Sequence, residues 1–318
     1  MADAETYTPP LLHRWAHTGT ILPSLLRPIK TPYERTESIA TPDDDIFTVD
    51  WIDRDPAQLA ILLHGLEGNT DSSYMKGMAK AFENRGWSVA AMNHRSCGGI
   101  PNKTIGSYHS GFTSDLEFLL QRNTSRDRIA IVGFSLGGNI ALKRAGEAAL
   151  PTNVKAVIGV SVPVDLASSG RKLSAWYNTV YLSRFLRRLK RKALIKSTQF
   201  PNSGLDALAL QKASTFQQFD EAYTAPAHGF DSAENYYARS SALRFLPSIK
   251  TPALIINALN DSFLTKECYP FECVDQNPFL LMDTPRHGGH VGFAQSHAMR
   301  DEFWHERRVL EFIQTFGA

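Results

Sequence analysis

The residues best suited to chemistry lie in Gly133-Phe134-Ser135-Leu136-Gly137, directly after the short apolar run 129–133 and directly before a helical pattern at 137–149. A serine at the apex of a tight strand-to-helix turn projects its Oγ over the carboxyl ends of a sheet. Such a turn leaves little room, hence glycine two residues before and two after. A hydroxyl is a weak nucleophile until a neighbouring base takes its proton. His290, in Gly288-Gly289-His290-Val291-Gly292, is the candidate base, with His287 as its rival. The base in turn needs an orienting carboxylate. Asp261, just past the apolar run 253–258, is the candidate; Asp165 and Asp283, which also follow predicted strands, are its rivals. The chain order Ser135, Asp261, His290 is one of the orders in which such triads occur.

Acyl transfer also places negative charge on the former carbonyl oxygen, and two backbone N–H groups should meet it. Leu136, the residue after the serine, supplies one. The loop His64-Gly65-Leu66-Glu67-Gly68 supplies the other, from Leu66, with His64 shaping the loop. The blander alternative is a glycine-rich turn whose serine merely caps the next helix. A metal site built from His64, His94, His287 and His290 lacks the short spacing of a compact ligand set. No cofactor and no metal are expected.

These groups need a scaffold that brings distant loops to one edge. Short apolar runs at 59–63, 87–92, 129–133, 154–160, 253–258 and 279–282 read as strands, preceded by a strand pair at 35–40 and 45–51. Between them lie helical patterns at 72–84, 111–121, 137–149 and 298–315. That alternation predicts an α/β fold with a mostly parallel central sheet flanked by helices. The rhythm breaks from 165 to 249, where no strand is legible and one long helix is predicted over 171–197. The expected organisation is a core of 1–164 and 250–318 with a helical cap inserted at 165–249. Trp176, Tyr181, Phe230 and Tyr237 in that insertion are the candidate substrate contacts.

Composition excludes several classes. The 318 residues are 43% hydrophobic and 21% charged, an ordinary globular balance. A net charge of +2 gives no global reason to expect a nucleic-acid partner. Cys97, Cys268 and Cys273 are too few for a disulfide scaffold and read as reduced thiols. The acidic opening Met-Ala-Asp-Ala-Glu-Thr does not look like a secretory signal, and no apolar stretch is long enough to span a membrane. A cytoplasmic protein is expected. The basic run Arg184 to Lys192 reads as a solvated helix face, with at most weak, salt-sensitive contact with an anionic membrane.

The motifs resemble the α/β-hydrolase superfamily, and more narrowly its AB hydrolase 4, or YheT-like, branch. The likeness is carried by the His64–Gly68 loop, by Asn93-His94-Arg95 with Gly98-Gly99, and by Tyr108, His109, Gly111, Thr113 and Asp115. It continues through Phe219-Asp220, Thr224-Ala225-Pro226, Gly229-Phe230, Tyr236-Tyr237 and Ser240-Ser241, and ends on Gly288–Phe293, covering about residues 12–315. One departure is His17-Thr18-Gly19-Thr20, where the branch usually has His-x-Gln-Thr. The resemblance implies a serine esterase acting on a small-molecule ester, with short-chain esters or monoacylglycerols as substrates. An acyltransferase or thioesterase using the same triad, and a non-catalytic binding protein on the same fold, are the alternatives.

Overall fold

Strand β3 (Asp55–Leu63) shows why the central apolar runs are continuous: Leu59, Ile61 and Leu63 enter the hydrophobic core on one side of the sheet, and Ala60 and Leu62 enter the core on the other. A strand covered on both faces has no wet side to alternate toward. β5 (Arg128–Phe134) divides in the same way, with Ile129 and Ile131 on one side and Ala130, Val132 and Phe134 on the other.

The computed structural model describes residues 7–316. Among them an eight-stranded sheet runs in the order β1-β2-β4-β3-β5-β6-β7-β8. β1 (Arg35–Ala40) and β2 (Ile46–Ile52) form an antiparallel hairpin, and β2 runs antiparallel to β4 (Trp87–Asn93). β3 to β8 are otherwise joined in parallel, through β6 (Val154–Val160), β7 (Ala253–Ile256) and β8 (Leu280–Asp283). The parallel register sets Leu63 beside Gly133, Phe134 beside Val160, Val160 beside Ile256, and Ile256 beside Asp283. Their carboxyl ends therefore finish level, and the loops that follow them share one edge.

Helices α1 (Ala16–Leu26), α2 (Ser73–Glu83), α3 (Ser114–Gln121) and α4 (Leu136–Glu147) precede β6. Between β6 and β7 the chain is helical: α5 (Leu166–Leu173), α6 (Thr179–Gln199), and shorter pieces that include Phe216–Phe219, a π-turn at Asp220–Thr224, and Ala233–Ser240. The single helix predicted over 171–197 is in fact two. Asn178 is fully buried at the break, and its amide donates to the carbonyls of Lys172 and Ser262, a long-range tether that periodicity does not carry. The inward stripe of α6 (Leu182, Leu186, Ala193) packs with Leu210, Phe216 and Phe219 into a small core of its own. The last helix starts at Trp304, later than predicted. No helix among the described residues is long and apolar enough to cross a membrane. Residues 1–6, read above as no secretory signal, lie outside the described part.

Candidate active site

Ser135 sits between β5 and α4 with φ 52° and ψ −116°. A non-glycine residue in this region carries about 1–3 kcal/mol of strain and persists only where its surroundings impose it. Here the Ser135 N–H donates to the Val160 carbonyl at 2.8 Å, and the Ser135 carbonyl accepts from Asn139 N at 3.0 Å. A Cβ on Gly133 would collide with the backbone of Gly137, so that position of the turn admits only glycine.

His290 Nδ1 donates to Asp261 Oδ2 at 2.8 Å, and the other carboxylate oxygen accepts from Phe263 N at 2.8 Å. The Asp261 side chain is wholly buried. With both oxygens engaged and Nδ1 carrying the proton, Nε2 of His290 is the ring's acceptor. Phe263 packs on the imidazole, ring centroids 4.3 Å apart. The rivals are committed elsewhere. Asp165 caps α5 by accepting from Ser168 N, Asp283 pairs with Arg308 at 2.7 Å, and His287 Nδ1 faces the Arg14 carbonyl.

Three contacts that spacing alone could not reveal hold the histidine loop. His290 N donates to Thr20 Oγ1 at 2.8 Å, Gly289 N to Asn260 Oδ1 at 2.9 Å, and Val291 N to Ser161 Oγ at 2.9 Å. A Cβ on Gly292 would collide with the Gly19 carbonyl, so α1 lies directly against this loop. The segment His17–Thr20, which departs from the branch's pattern, is thus the support of the histidine backbone. Its only sequence signal is the local resemblance.

In the loop after β3, Gly65 N donates to Tyr74 OH, Glu67 N to Tyr108 OH and Gly68 N to the Gly65 carbonyl. Leu66 N–H has no acceptor among the described residues. Leu136 N–H is at the first turn of α4, where helical amides have no intrahelical partner. Leu66 and Leu136 line the same cavity as Ser135. His64 is fully buried and shapes the loop: Nδ1 donates to the Gly65 carbonyl and Nε2 accepts from His94 N. Burial holds its pKa well below the ordinary imidazole value, consistent with a neutral structural ring.

Glu67 is gripped from several sides. Its carboxylate accepts from Lys192 Nζ and from Tyr108 OH, each at 2.9 Å, while its carbonyl accepts from Arg188 at 3.1 Å. The basic run is therefore only partly solvated. Arg188 and Lys192 reach the Glu67 loop, and Lys190 caps the carbonyls of Gln211 and Ala213.

A cavity of about 650 Å³ is lined by Ser135, Leu66, Leu136 and His290 together. Leu166, Leu173, Phe185, Leu189, Phe216 and Phe219 supply apolar wall from the helical segment. Of the predicted contacts, Tyr181 and Tyr237 line this cavity and Trp176 and Phe230 do not. Trp176 stands in solvent at 85% exposure because the chain breaks at 174–178 and turns it outward. Phe230 is occupied by His109 and Tyr236. The cavity also reaches a polar floor, where buried Asp220 accepts from Thr224 Oγ1 and Tyr237 OH, each at 2.6 Å. Burial pushes its carboxyl up to about 6, with the two hydroxyls opposing that rise.

Comparison with known proteins agrees with this architecture. A family model described as the alpha/beta hydrolase fold matches residues 60–271. The candidate esterase YheT of Escherichia coli is 32% identical over 94% of this chain and 90% of its own length. A monoacylglycerol lipase of Saccharomyces cerevisiae is 27% identical, covering 89% of this chain and 64% of the relative. Among solved structures, the Pyrococcus furiosus esterase Pf2001 superposes with a TM-score of 0.60 at 18% identity, covering 90% of this chain and 94% of that one. A family model spanning two thirds of the sequence and a near full-length relative above 30% identity lead to one assignment: the chain belongs to the α/β-hydrolase family, in its YheT-like branch.

Proposed function

We propose that this protein is a serine esterase that cleaves carboxylic esters through an acyl-enzyme on Ser135. The observation that carries the reading is the 2.8 Å pairing of His290 Nδ1 with buried Asp261, on a histidine that opens into the same cavity as Ser135. In the first half-reaction Ser135 Oγ attacks the ester carbonyl carbon while His290 Nε2 takes the hydroxyl proton. Asp261 holds the ring's tautomer and stabilises the imidazolium. The Leu66 and Leu136 N–H groups donate to the oxyanion of the tetrahedral intermediate. As the intermediate collapses, His290 returns the proton to the departing alcohol, leaving Ser135 acylated. Water, deprotonated by His290, then releases the acid.

The helical segment between β6 and β7 acts as a cap that walls the acyl pocket, with Tyr181 and Tyr237 among its contacts. Short-chain esters and monoacylglycerols are the substrate class that the pocket size and the lipase relative support. The test is a panel of esters varied in acyl length and alcohol, run beside Ser135→Ala. Turnover that survives Ser135→Ala, or failure of a fluorophosphonate to label Ser135 in the unmodified protein, would end this reading.

A further inference from the structure

The cavity mouth lies between α1 and α6: Ile21 and Leu25 line it from one side, Tyr181, Arg184 and Arg188 from the other, with Lys76 of α2 beside them. The two helices touch, His17 Nδ1 meeting Tyr181 OH at 3.2 Å. Both helices and their N-terminal approaches carry large apolar side chains in solvent: Trp15 just before α1 is 57% exposed, Leu25 is 63% exposed and Leu26 is comparable, while Trp176 just before α6 and Val180 in its first turn are 85% and 77% exposed. Exposed aliphatic and indole groups in one region mark an interaction site more often than isolated ones do.

The charge beside this patch has one sign. Val180, Arg184, Arg187, Arg188 and Arg191 recur at helical spacing along one exposed face of α6. Arg184, Arg187 and Arg191 have no hydrogen-bond or ion-pair partner among the described residues. Neither α1 nor α6 contains an acidic residue, and Asp71 is the exposed carboxylate lining the mouth. Exposed apolar and indole groups continued along α6 by a row of arginines are the chemistry of an interfacial surface that binds anionic lipid.

We propose that the α1–α6 face seats on an anionic lipid surface, turning the cavity mouth toward the bilayer so that an amphiphile enters without crossing water. The use of this face for substrate delivery rests on the esterase reading, but binding can be measured without turnover, so either can fail alone. The assay is sedimentation with phosphatidylcholine vesicles, with and without phosphatidylglycerol, at low and high salt. The full chain should sediment with the anionic vesicles at low salt and be released by salt. Arg187→Gln with Arg191→Gln should weaken partitioning about thirtyfold, from roughly 1 kcal/mol per arginine near such a surface. Trp176→Ser should weaken it by about tenfold or more through lost apolar insertion. None of these three residues lines the cavity, so turnover of a water-soluble ester should be unchanged in both variants and serves as the folding control. Absence of vesicle binding at low salt, or binding that neither variant weakens, would overturn the proposal. So would self-association without vesicles that these substitutions abolish, which would give the face to a second copy of the chain.

Discussion

Replacing Lys192 by Met tests whether α6 holds the loop of the proposed oxyanion donor Leu66 in shape. Lys192 Nζ lies 2.9 Å from a Glu67 carboxylate whose side chain is 3% exposed, and Glu67 directly follows the Leu66 amide. Glu67 itself holds φ 52°, a strained value for a side chain of its size. Without the ammonium, the carboxylate keeps only the Tyr108 hydroxyl. Breaking a buried ion pair from one side costs about 3–5 kcal/mol, because an uncompensated charge remains. The loop can escape that cost by swinging Glu67 toward water, and the Leu66 N–H would move with it. Loss of one oxyanion donor lowers kcat by about 10²–10³-fold. We therefore expect kcat to fall between about tenfold and 10³-fold, with KM changed little. Labelling of Ser135 by a fluorophosphonate should slow in parallel, because its phosphonyl oxygen enters the same hole. Adding Glu67→Gln should recover stability, since a neutral pair leaves no stranded charge, while kcat recovers only if the loop returns. A Lys192→Met protein with lowered Tm but unchanged kcat and labelling rate would reduce the clamp to a stability device. A raised KM at constant kcat would make Lys192 a substrate contact instead.

Other expectations follow from the same geometry. Asp261→Asn should lower kcat by about 10⁴-fold without unfolding the protein, whereas Asp165→Asn and Asp283→Asn should leave kcat within a few-fold; steady-state kinetics on one soluble ester decides it. Thr20→Val removes the acceptor of the His290 N–H and should lower kcat by about tenfold, since an orphaned buried donor costs about 1–3 kcal/mol; an unchanged kcat would show that the loop is held without it. Asp220 provides a pH signature. Its carboxyl is raised from 3.8 to about 6 in the folded chain, so the folded state holds the proton more tightly than the unfolded state does. That contribution is fully present below about pH 4 and is lost as pH rises through about 6, a swing of ~3 kcal/mol. Asp220→Asn should therefore gain stability relative to the unmodified protein as pH rises from 4 to 7, by denaturant titration; a difference independent of pH would place the carboxyl's pKa elsewhere.

What could be read from sequence is what is local. A Gly-x-Ser-x-Gly turn between an apolar run and a helix is a contiguous pattern, and Asp261 and His290 both follow strand-like runs whose ends the sheet brings level. The parallel sheet was legible because β3, β5 and β6 are buried on both faces and lose the period-two alternation. The strand order β2-β4-β3-β5 was not, since crossovers leave no trace in spacing. Nor were the contacts of Thr20 and Ser161 with the histidine loop, made across 270 and 130 residues. Trp176 misled because an aromatic on a helical pattern looks the same whether it faces a pocket or water. The buried amide of Asn178, two residues on, decided which.

Three of the eight non-glycine residues with positive φ among the described residues stand at or beside the groups proposed to do the chemistry. Glu67, Ser135 and Val291 are non-glycine residues with φ of 52°, 52° and 58°. One is the proposed nucleophile, and the other two each follow a residue whose atoms would act on the substrate, Leu66 and His290. At about 1–3 kcal/mol each, such conformations would relax unless the surroundings over-determined them. Each has its own restraint from a different part of the chain: Lys192, Arg188 and Tyr108 around Glu67, the Val160 carbonyl and the glycines of the turn around Ser135, Ser161 and the α1 backbone around Val291. Independent restraints imply independent failure. Removing the Lys192–Glu67 contact should disturb oxyanion binding while leaving the His290–Asp261 pair intact, and removing the Thr20–His290 contact should do the reverse. The parameter that separates the two classes is coupling to Asp261→Asn in a double-mutant cycle: the Thr20 variant should couple strongly to it, and the Lys192 variant should add its loss of kcat independently. If both variants coupled to it alike, the site would be one cooperative unit and the division between its supports would be wrong.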